Sequence, residues 1–476
     1  MKKLRPWCCA VLCCALLCLA SAATARPVDP APPLPPPAGR VVRVSTEADL
    51  QAAVRALSSN TTILVAPGTY RLTNTLQISG TLANVGIRGD SPNRDRVVLL
   101  GSGMKDSTIQ FGIWVGGNVQ GVTIANLTIR DIFYHPIILN PGTRAPLIHN
   151  VHLVNAGQQF IKGNQTEAAG GVDEGVVEYS VIEYETIAKD NYTNGIDVHR
   201  GANWIIRHNL FRNIRPPAGQ LAGPAILMWN RSSNTLTEGN TFINCQREIA
   251  YGLGEREGHD HRGGIIRNNF IYRAASVEGD AAIGAWDSPG TLILHNTILA
   301  SGTYPSLIEY RYTGTRGVVV ANNLLDGSVL ARDGASATVT GNVTKAAPAM
   351  FVKPQAGDLH LVPGAVLEAT DPRALEACPD DWDGEARPGG TAPDVGADQR
   401  QGRQRPPGRI LFQDPADDEQ SQPHVGFSQV FKGDFEADLL LRFAKQVIYQ
   451  QAFTEESLTE RDAEVRCGRA LARDMC

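Results

Sequence analysis

The feature of this sequence that most constrains its fold is a residue that returns at a nearly constant interval. Asparagine occupies similar surroundings at eight positions, with serine in one further slot: Asn126, Asn150, Ser180, Asn209, Asn240, Asn269, Asn296, Asn323 and Asn342. Successive slots lie 24 to 31 residues apart, except for the last two, which are 19 apart. A period of this length indicates a solenoid, in which each repeat packs against the next one.

The windows between these slots predict short strands. They are rich in β-branched residues and alternate in polarity, and Gly, Asn and Asp separate them, whereas helical repeats need long stretches with a 3.6-residue period. Stacked coils of this size predict an all-β fold, a parallel β-helix in which each strand pairs with its equivalent one coil away. We interpret the repeated asparagines as a hydrogen-bonded ladder along the stack.

The two ends of the repeat region resemble a known family. The segments "TILVAPGTYRLTNTLQISG" and "DWDGEARPGGTAPDVGAD" are similar to the start and the finish of right-handed parallel β-helix proteins of the pectin-lyase-like superfamily, over about residues 41–400. The resemblance implies the fold and not one activity, because such proteins include lyases, hydrolases, epimerases and adhesins. Before the first coil, a capping box from Thr46 to Asp49 predicts an amphipathic helix that covers the N-terminal end.

The segments outside the β-helix predict export and a C-terminal addition. Residues 1–25 place three basic residues before an apolar run and end in small residues, which predicts a secretory signal peptide. Residues 26–40 predict a stiff, unpacked proline-rich spacer, residues 401–433 a linker, and residues 434–476 a helical segment. We interpret that segment as a cap on the solenoid, with an interaction helix as the alternative. A secreted or periplasmic monomer without a membrane span is expected.

The charge of the chain limits its partners. The formal charge is -5 and includes Lys2, Lys3 and Arg5 of the acid-free leader, so removal of the leader leaves -8. An acidic protein binds nucleic acid poorly, so no nucleic acid partner is expected. Any anionic partner must therefore be bound by a local basic patch.

The repeat allows outward-facing side chains to be aligned from the sequence. One strand per coil begins at an isoleucine that we expect to point inward: Ile161, Ile196, Ile226, Ile249, Ile283 and Ile308. Because side chains alternate along a strand, the second and fourth positions should share one outer wall. The outward rows are Lys162, Asp197, Leu227, Ala250, Gly284 and Glu309, and beside them Asn164, His199, Trp229, Gly252, Trp286 and Arg311.

This wall predicts a site for an acidic carbohydrate. His199 is the expected catalytic base, because its ordinary pKa lies near neutrality, and Asp197 is expected to orient the imidazole or to tune its pKa. Lys162 and Arg200, with Arg311, are expected to neutralise a sugar carboxylate. Indoles stack on sugar rings and cations pair with carboxylates. The residues expected to bind substrate are Trp229, Trp286, Tyr251, Glu309, Arg311 and Asn164.

These groups favour β-elimination at a uronate residue of an acidic polysaccharide. Hydrolysis needs two carboxyl groups about 5 to 9.5 Å apart, whereas Asp197 and Glu309 are four coils, or about 19 Å, apart in this register. The Asp-x-His of "IDVHRG" is similar to the Asp-Pro-His motif of alginate C5-epimerases, with Val198 in place of proline. The alternatives are a non-catalytic glycan-binding or surface protein, a glycoside hydrolase and a C5-epimerase.

The sequence predicts no metal site. His259, Asp260 and His261 have the chemistry of metal ligands, but adjacent residues rarely converge on one ion. The stretch "DDWDG" from Asp380 to Gly384 resembles a calcium loop but lacks its remaining ligands, so a turn is expected. No cofactor is therefore predicted, and a role for calcium is left open.

Overall fold

The computed structural model describes residues 30–400, apart from residues 365, 366, 368, 370, 373 and 389–392. The expected signal peptide (1–25), linker (401–433) and helical segment (434–476) lie outside the described residues. Within them, the chain forms parallel sheets whose neighbouring strands come from successive coils. The predicted right-handed parallel β-helix is confirmed.

One sheet takes a single strand from each coil, and we call it the site sheet. Its ten strands are β1 Leu76–Ala83, β2 Phe111–Gln120, β3 His135–Leu139, β4 Ile161–Gly163, β5 Ile196–His199, β6 Ile226–Trp229, β7 Ile249–Tyr251, β8 Ile283–Trp286, β9 Ser306–Arg311 and β10 Ser328–Arg332. Each strand pairs in parallel with the next one, so equivalent residues of adjacent coils lie about 4.8 Å apart.

A second sheet forms the remaining walls of the solenoid. Its twenty strands are Arg40–Val44, Thr61–Val65, Gly68–Arg71, Val85–Gly89, Val97–Leu100, Thr123–Ile132, Leu147–Ala156, Val176–Glu178, Val181–Glu183, Ile205–Arg207, Leu210–Arg212, Leu236–Glu238, Thr241–Ile243, Ile265–Arg267, Phe270–Tyr272, Leu292–Leu294, Thr297–Leu299, Val318–Ala321, Leu324–Leu325 and Ala337–Thr340. The apolar core lies between the two sheets and is built mainly from Ile, Val and Leu.

The other elements are short. They are the helices α1 Glu47–Arg55 and α2 Ala374–Ala377, the 3-10 turns Arg94–Arg96, Pro348–Met350 and Pro354–Ala356, the parallel pair Ser232–Ser233 with His261–Arg262, and the antiparallel pair Phe351–Lys353 with Asp358–Leu361. Among the residues that the structure describes, no helix is long and apolar enough to cross a bilayer.

The predicted asparagine ladder runs along the turns between strands of the second sheet. The Asn240 side chain donates to Asn269 Oδ1 at 3.0 Å, and the Asn269 side chain donates to Asn296 Oδ1 at 2.9 Å. The same contact links Asn209 to Asn240 and continues to Asn323. Each of these amides also donates to a backbone carbonyl, so the ladder satisfies polar groups that the stack buries.

The N-terminal end of the solenoid is covered by α1, as the capping box predicts. The Thr46 hydroxyl accepts a hydrogen bond from the backbone N–H of Asp49 at 3.1 Å, and Thr46 has extended backbone angles. Leu50 and Val54 on one face of α1 are buried against the first coil. The helix thereby shields the first unpaired strand edge.

The described part of the proline-rich spacer packs against the solenoid, contrary to the expectation that it is unpacked. The carbonyl of Pro32 accepts a hydrogen bond from His149 Nε2 at 3.0 Å, and the carbonyl of Pro35 accepts one from Arg88 at 2.9 Å. Proline carbonyls lack an N–H partner in their own segment, so polar groups on the coil can bind them.

Candidate functional site

The outward column lies on one face of the site sheet, with the pairing that the sequence predicts. The six aligned isoleucines point inward and are at most 1% exposed. Lys162 of β4 is the lateral neighbour of Asp197 of β5, and His199 of β5 is the lateral neighbour of Trp229 of β6. The structure therefore brings together four of the predicted site residues, and we call these four the His199 cluster.

The His199 cluster is a compact polar group. Lys162 Nζ lies 2.8 Å from Asp197 Oδ2 and 2.8 Å from His199 Nε2. Trp229 donates its indole N–H to Asp197 Oδ1 at 2.8 Å. The side chains of Lys162, Asp197 and His199 are 9%, 3% and 18% exposed, so His199 is the most open to solvent of these three.

His199 is held in a neutral state by its surroundings. Burial, followed by the charge of Lys162, lowers the pKa of His199 to about 3. Because the Lys162 ammonium donates to Nε2, the ring proton belongs on Nδ1, which lies 3.1 Å from the side-chain amide of Asn230. The structure turns the amide nitrogen of Asn230 toward Nδ1, so this tautomer requires the amide to be flipped, with its oxygen accepting a hydrogen bond from the Nδ1–H group.

Asp197 does not orient the imidazole through a hydrogen bond, which is one of its two expected roles, but its charge acts on the imidazole, because it raises the pKa of His199 against burial and the charge of Lys162. Its Oδ1 lies 3.6 Å from His199 Nε2, which is too long for a hydrogen bond. Burial would raise the pKa of Asp197, but the charge of Lys162 and the hydrogen bonds from Lys162 and Trp229 lower it overall. The carboxylate therefore fixes the positions of Lys162 and Trp229.

A rim of arginines lies beside His199. Arg200 donates to Glu167 at 2.9 Å, and the guanidinium group of Arg231 lies 3.6 Å from the same carboxylate. Arg256 lies over the Trp229 ring at 5.9 Å, and its charge contributes to lowering the pKa of His199. The side chains of Arg200, Arg231 and Arg256 are 31%, 38% and 28% exposed. This is a local basic patch on an acidic chain.

Sequence alignment of the strands missed Asn230, Arg231 and Arg256. Asn230 and Arg231 directly follow β6 and have positive φ angles of 56° and 73°, as Arg200 does after β5 with 53°. The signal that could have found them is their place at equivalent turns of successive coils. Arg256 lies in a loop without an equivalent in other coils, so the repeat carried no information about it.

Trp286 does not form an open platform, contrary to the prediction. Its indole folds back over Gly284 of its own strand, where a Cβ atom would collide with the ring. The ring packs with Leu227 and Ala250, beneath Leu253 and Tyr312, and is 6% exposed. The small residues of this row therefore accommodate an indole and leave no floor for a sugar.

Tyr251 is also excluded as a substrate-binding residue. Its side chain is fully buried, and its hydroxyl donates to the carbonyl of Thr235 at 2.9 Å. The alternation that turns Ile249 inward also turns Tyr251 inward, because the two residues are separated by one position. The third aromatic side chain, Trp229, remains partly exposed.

The upper end of the column is separate from the His199 cluster. Arg311 is four coils from His199, about 19 Å, so it cannot neutralise a carboxylate bound there. It pairs with Asp333, and the buried Glu309 accepts from Arg332 at 3.1 Å. Asn164 lies near the cluster, and its side chain donates to Asn140 Oδ1 at 2.9 Å.

The candidate metal ligands in the 259–261 segment point to different partners. His259 Nδ1 contacts Asp287 at 2.9 Å, the Asp260 carboxylate accepts from Arg256, and the buried His261 contacts Ser288.

A different group in the described residues, His360, Asp383 and Asp398, has ligand atoms within 4.8 Å of one another. His360 there is held as an imidazolium, because Asp358 and Asp383 raise its pKa to about 10 against the effect of burial. A metal ion would therefore have to displace a proton from His360 in order to bind there.

Comparisons with known proteins found similar solved structures but no related sequence family. No family model and no curated protein matches the chain. Among solved structures, pectate lyase Pel9A is 13% identical, with 76% of this chain and 97% of that chain covered and a TM-score of 0.43. Endo-xylogalacturonan hydrolase from Aspergillus tubingensis is 15% identical, with 62% and 100% covered and a TM-score of 0.41.

A third similar structure is the PL6 family alginate lyase AlyGC, which is 14% identical, with 63% of this chain and 51% of that chain covered and a TM-score of 0.35. At these identities the similarity concerns the fold alone. The assignment of a parallel β-helix rests on the strand pairing of the chain itself.

Proposed function

We propose that this chain acts on an acidic polysaccharide by β-elimination at a uronate residue. The observation that carries the proposal is the 2.8 Å contact between Lys162 Nζ and His199 Nε2 on the outer wall of the solenoid. A base and a cation are thereby placed within the span of one sugar carboxylate and the carbon next to it. Arg200 and the other rim arginines supply further positive charge.

The geometry suggests how the base becomes available. In the free protein the lone pair of His199 Nε2 accepts a hydrogen bond from Lys162. A uronate carboxylate that attracts the Lys162 ammonium withdraws this hydrogen bond and frees the lone pair. One rearrangement then neutralises the carboxylate and exposes the base. It also weakens the effect of the Lys162 charge, which together with burial holds the pKa of His199 at about 3 in the free protein, so the imidazole becomes a stronger base when substrate is bound.

The proposed reaction moves two protons and breaks one C–H bond and one C–O bond. His199 Nε2 takes the proton from the carbon next to the carboxylate, and the electron pair is delocalised into that carboxylate beside Lys162 and Arg200. The pair then forms a carbon–carbon double bond as the glycosidic oxygen leaves, and this oxygen takes a proton from solvent. One product fragment begins with an unsaturated uronate. The other fragment carries the released oxygen as the hydroxyl of a new reducing end.

Hydrolysis by two carboxyl groups of the column has less support. Asp197 is 3% exposed and bound to Lys162 and Trp229, and Glu309 is 2% exposed and four coils away. A separation of about 19 Å exceeds the range in which two carboxyl groups act on one glycosidic bond.

The second candidate function is glycan binding without turnover. The observation that favours it is the same Lys162–His199 hydrogen bond, because a binding site has no need to free Nε2. A C5-epimerase would need a second group to return a proton to the opposite face of the sugar. Secretion or a periplasmic location, a monomeric state and any role of calcium stay predictions.

The test is incubation of the purified protein with alginate, pectate and glycosaminoglycans while the absorbance of the unsaturated product is followed. We expect His199→Ala to lower the rate by about a thousandfold or more while the affinity for the polymer changes little. His259→Ala is the matched control, because this histidine is paired with Asp287 outside the His199 cluster.

Absence of the absorbance change on every uronate polymer, with a folded protein that still binds, would reject elimination and favour the binding function. New reducing ends without absorbance would indicate a hydrolase.

A further inference from the structure

Trp114 lies on the same outer wall as the His199 cluster, on its N-terminal side. Strand pairing places Trp114 of β2 beside Ile138 of β3, and Ile138 beside Lys162 of β4. Trp114 is thus two coils, about 10 Å, from Lys162. It occupies the same outward row as Lys162 and Asp197. In the sequence this row was aligned only from Lys162 onward, so Trp114 was not included.

The Trp114 indole lies flat on the sheet. A Cβ atom added to Gly116, two residues further along β2, would collide with the six-membered ring of Trp114. Glycine therefore allows the ring to lie over its own strand, as Gly284 does for Trp286. The difference is that Trp286 is covered, at 6% exposure, whereas Trp114 is partly exposed. A flat indole with an accessible face is the geometry on which a sugar ring stacks.

Polar groups continue this wall beyond Trp114. Gln77 of β1 is the direct lateral neighbour of Trp114, and Ser79 is the neighbour of Gly116. Gln77, Ser79 and Arg55 are exposed and line one shallow cavity of about 240 Å³ at the end of α1. The wall therefore presents a cation at Arg55, an amide and a hydroxyl, an indole, and then the Lys162 ammonium.

We infer that Trp114 is the stacking platform of an extended binding surface for an acidic glycan, which runs from the His199 cluster toward α1. This inference rests on the proposed function. Arg55 and Lys162 are the two cationic ends, which suit a chain with a carboxylate on successive sugars. Gln77 and Ser79 are placed to hydrogen-bond the hydroxyl groups between them. The surface replaces the covered Trp286 as the aromatic part of the site.

The experiment measures binding separately from turnover. Short oligosaccharides prepared from alginate and from pectate are titrated into the full chain carrying His199→Ala, and the dissociation constant is determined by calorimetry. Adding Trp114→Ala should weaken binding about tenfold, and adding Gly116→Ala should weaken it as well, because the new methyl group lifts the indole from the sheet. Arg55→Gln should weaken binding by about threefold to fivefold.

Trp286→Ala is the matched control, since this indole is covered, and Gly254→Ala is the control for Gly116→Ala, since a Cβ atom there meets open space. Circular dichroism verifies folding of each variant. If the parent binds and Trp114→Ala binds equally well, or if only Trp286→Ala weakens binding, the inference is overturned while the proposed function stands. If the His199→Ala parent binds no uronate oligosaccharide and the wild type cleaves none, the proposed function itself fails.

Discussion

At the scale of single residues, the structure sets two histidines to opposite charge states. His199 is kept neutral by burial and by the adjacent Lys162 ammonium, which together hold its pKa at about 3. His360 is equally removed from solvent but is hydrogen-bonded to Asp358 at 2.6 Å and to Asp383 at 3.1 Å, and its pKa is raised to about 10. The sign of the neighbouring charge decides the state, because burial lowers both pKa values.

The raised pKa of His360, which lies in the strand Asp358–Leu361, therefore makes the free energy of unfolding depend on pH. Its folded pKa lies above the ordinary value of 6.5, so the stabilisation is fully present below pH 6.5 and is lost as the pH rises toward 10. We expect the unfolding free energies of the wild type and His360→Gln to differ most at about pH 6 and to converge by about pH 10. Denaturant unfolding at several pH values measures this difference.

Asp383→Asn provides the comparison for that measurement. It removes one carboxylate partner of His360, so the wild-type dependence on pH should become shallower. A difference between wild type and His360→Gln that stays constant or grows with pH would contradict the assignment of His360 as a buried imidazolium.

At the scale of structural elements, the asparagine ladder connects the coils through buried side chains. Asn269 Oδ1 accepts both the backbone N–H and the side-chain amide of Asn240, each at 3.0 Å. The Asn269 amide in turn donates to the carbonyl of Thr237 and to Asn296. One side chain thus satisfies donors and acceptors in three successive coils, and all of them are removed from water.

We expect Asn269→Ala to lower the free energy of unfolding by about 2 kcal/mol, because it leaves the buried backbone N–H of Asn240 without an acceptor and removes the hydrogen bonds that the Asn269 amide donates. Asn269→Ser should cost less. Ser180 occupies the equivalent slot naturally, and its hydroxyl accepts from the backbone N–H of Val151 at 3.1 Å. Denaturant unfolding of both variants tests this order. Equal stability of Asn269→Ala and the wild type would show that the ladder hydrogen bonds do not stabilise the fold.

Elements that follow the repeat were predictable from the sequence, and the elements that interrupt it were not. The aligned isoleucines, the ladder and the positions of Lys162, Asp197 and His199 depend only on each coil stacking on the one before. The covering of Trp286 depends on Leu253 and Tyr312, which lie outside the repeated strands. Arg256 likewise comes from a loop whose path is set by tertiary contacts, including its ion pair with Asp260.

At the scale of the whole molecule, an acidic chain presents a basic patch where the proposed substrate binds. Long-range repulsion between a chain of formal charge -5 and an anionic polymer must be overcome by local contacts. Screening by salt shortens the range of both effects to about 8 Å at physiological ionic strength. Whether attraction or repulsion of the polymer prevails is therefore controlled by the few charges next to His199. One of these charges is Glu167, which pairs with both Arg200 and Arg231.

Glu167→Gln should accordingly strengthen the binding of uronate oligosaccharides. The substitution removes a 61% exposed negative charge and releases Arg200 and Arg231 to pair with sugar carboxylates. Because exposed ion pairs contribute at most about 1 kcal/mol, the gain should not exceed about fivefold at low salt, and it should shrink as salt is added. Calorimetric titration in the His199→Ala background measures both the gain in affinity and its dependence on salt.

Glu174→Gln is the control, because the partner of Glu174 is Arg144, and it should leave the affinity unchanged. Weaker binding by Glu167→Gln at low salt would show that Glu167 orders the arginines for the substrate and does not compete with it.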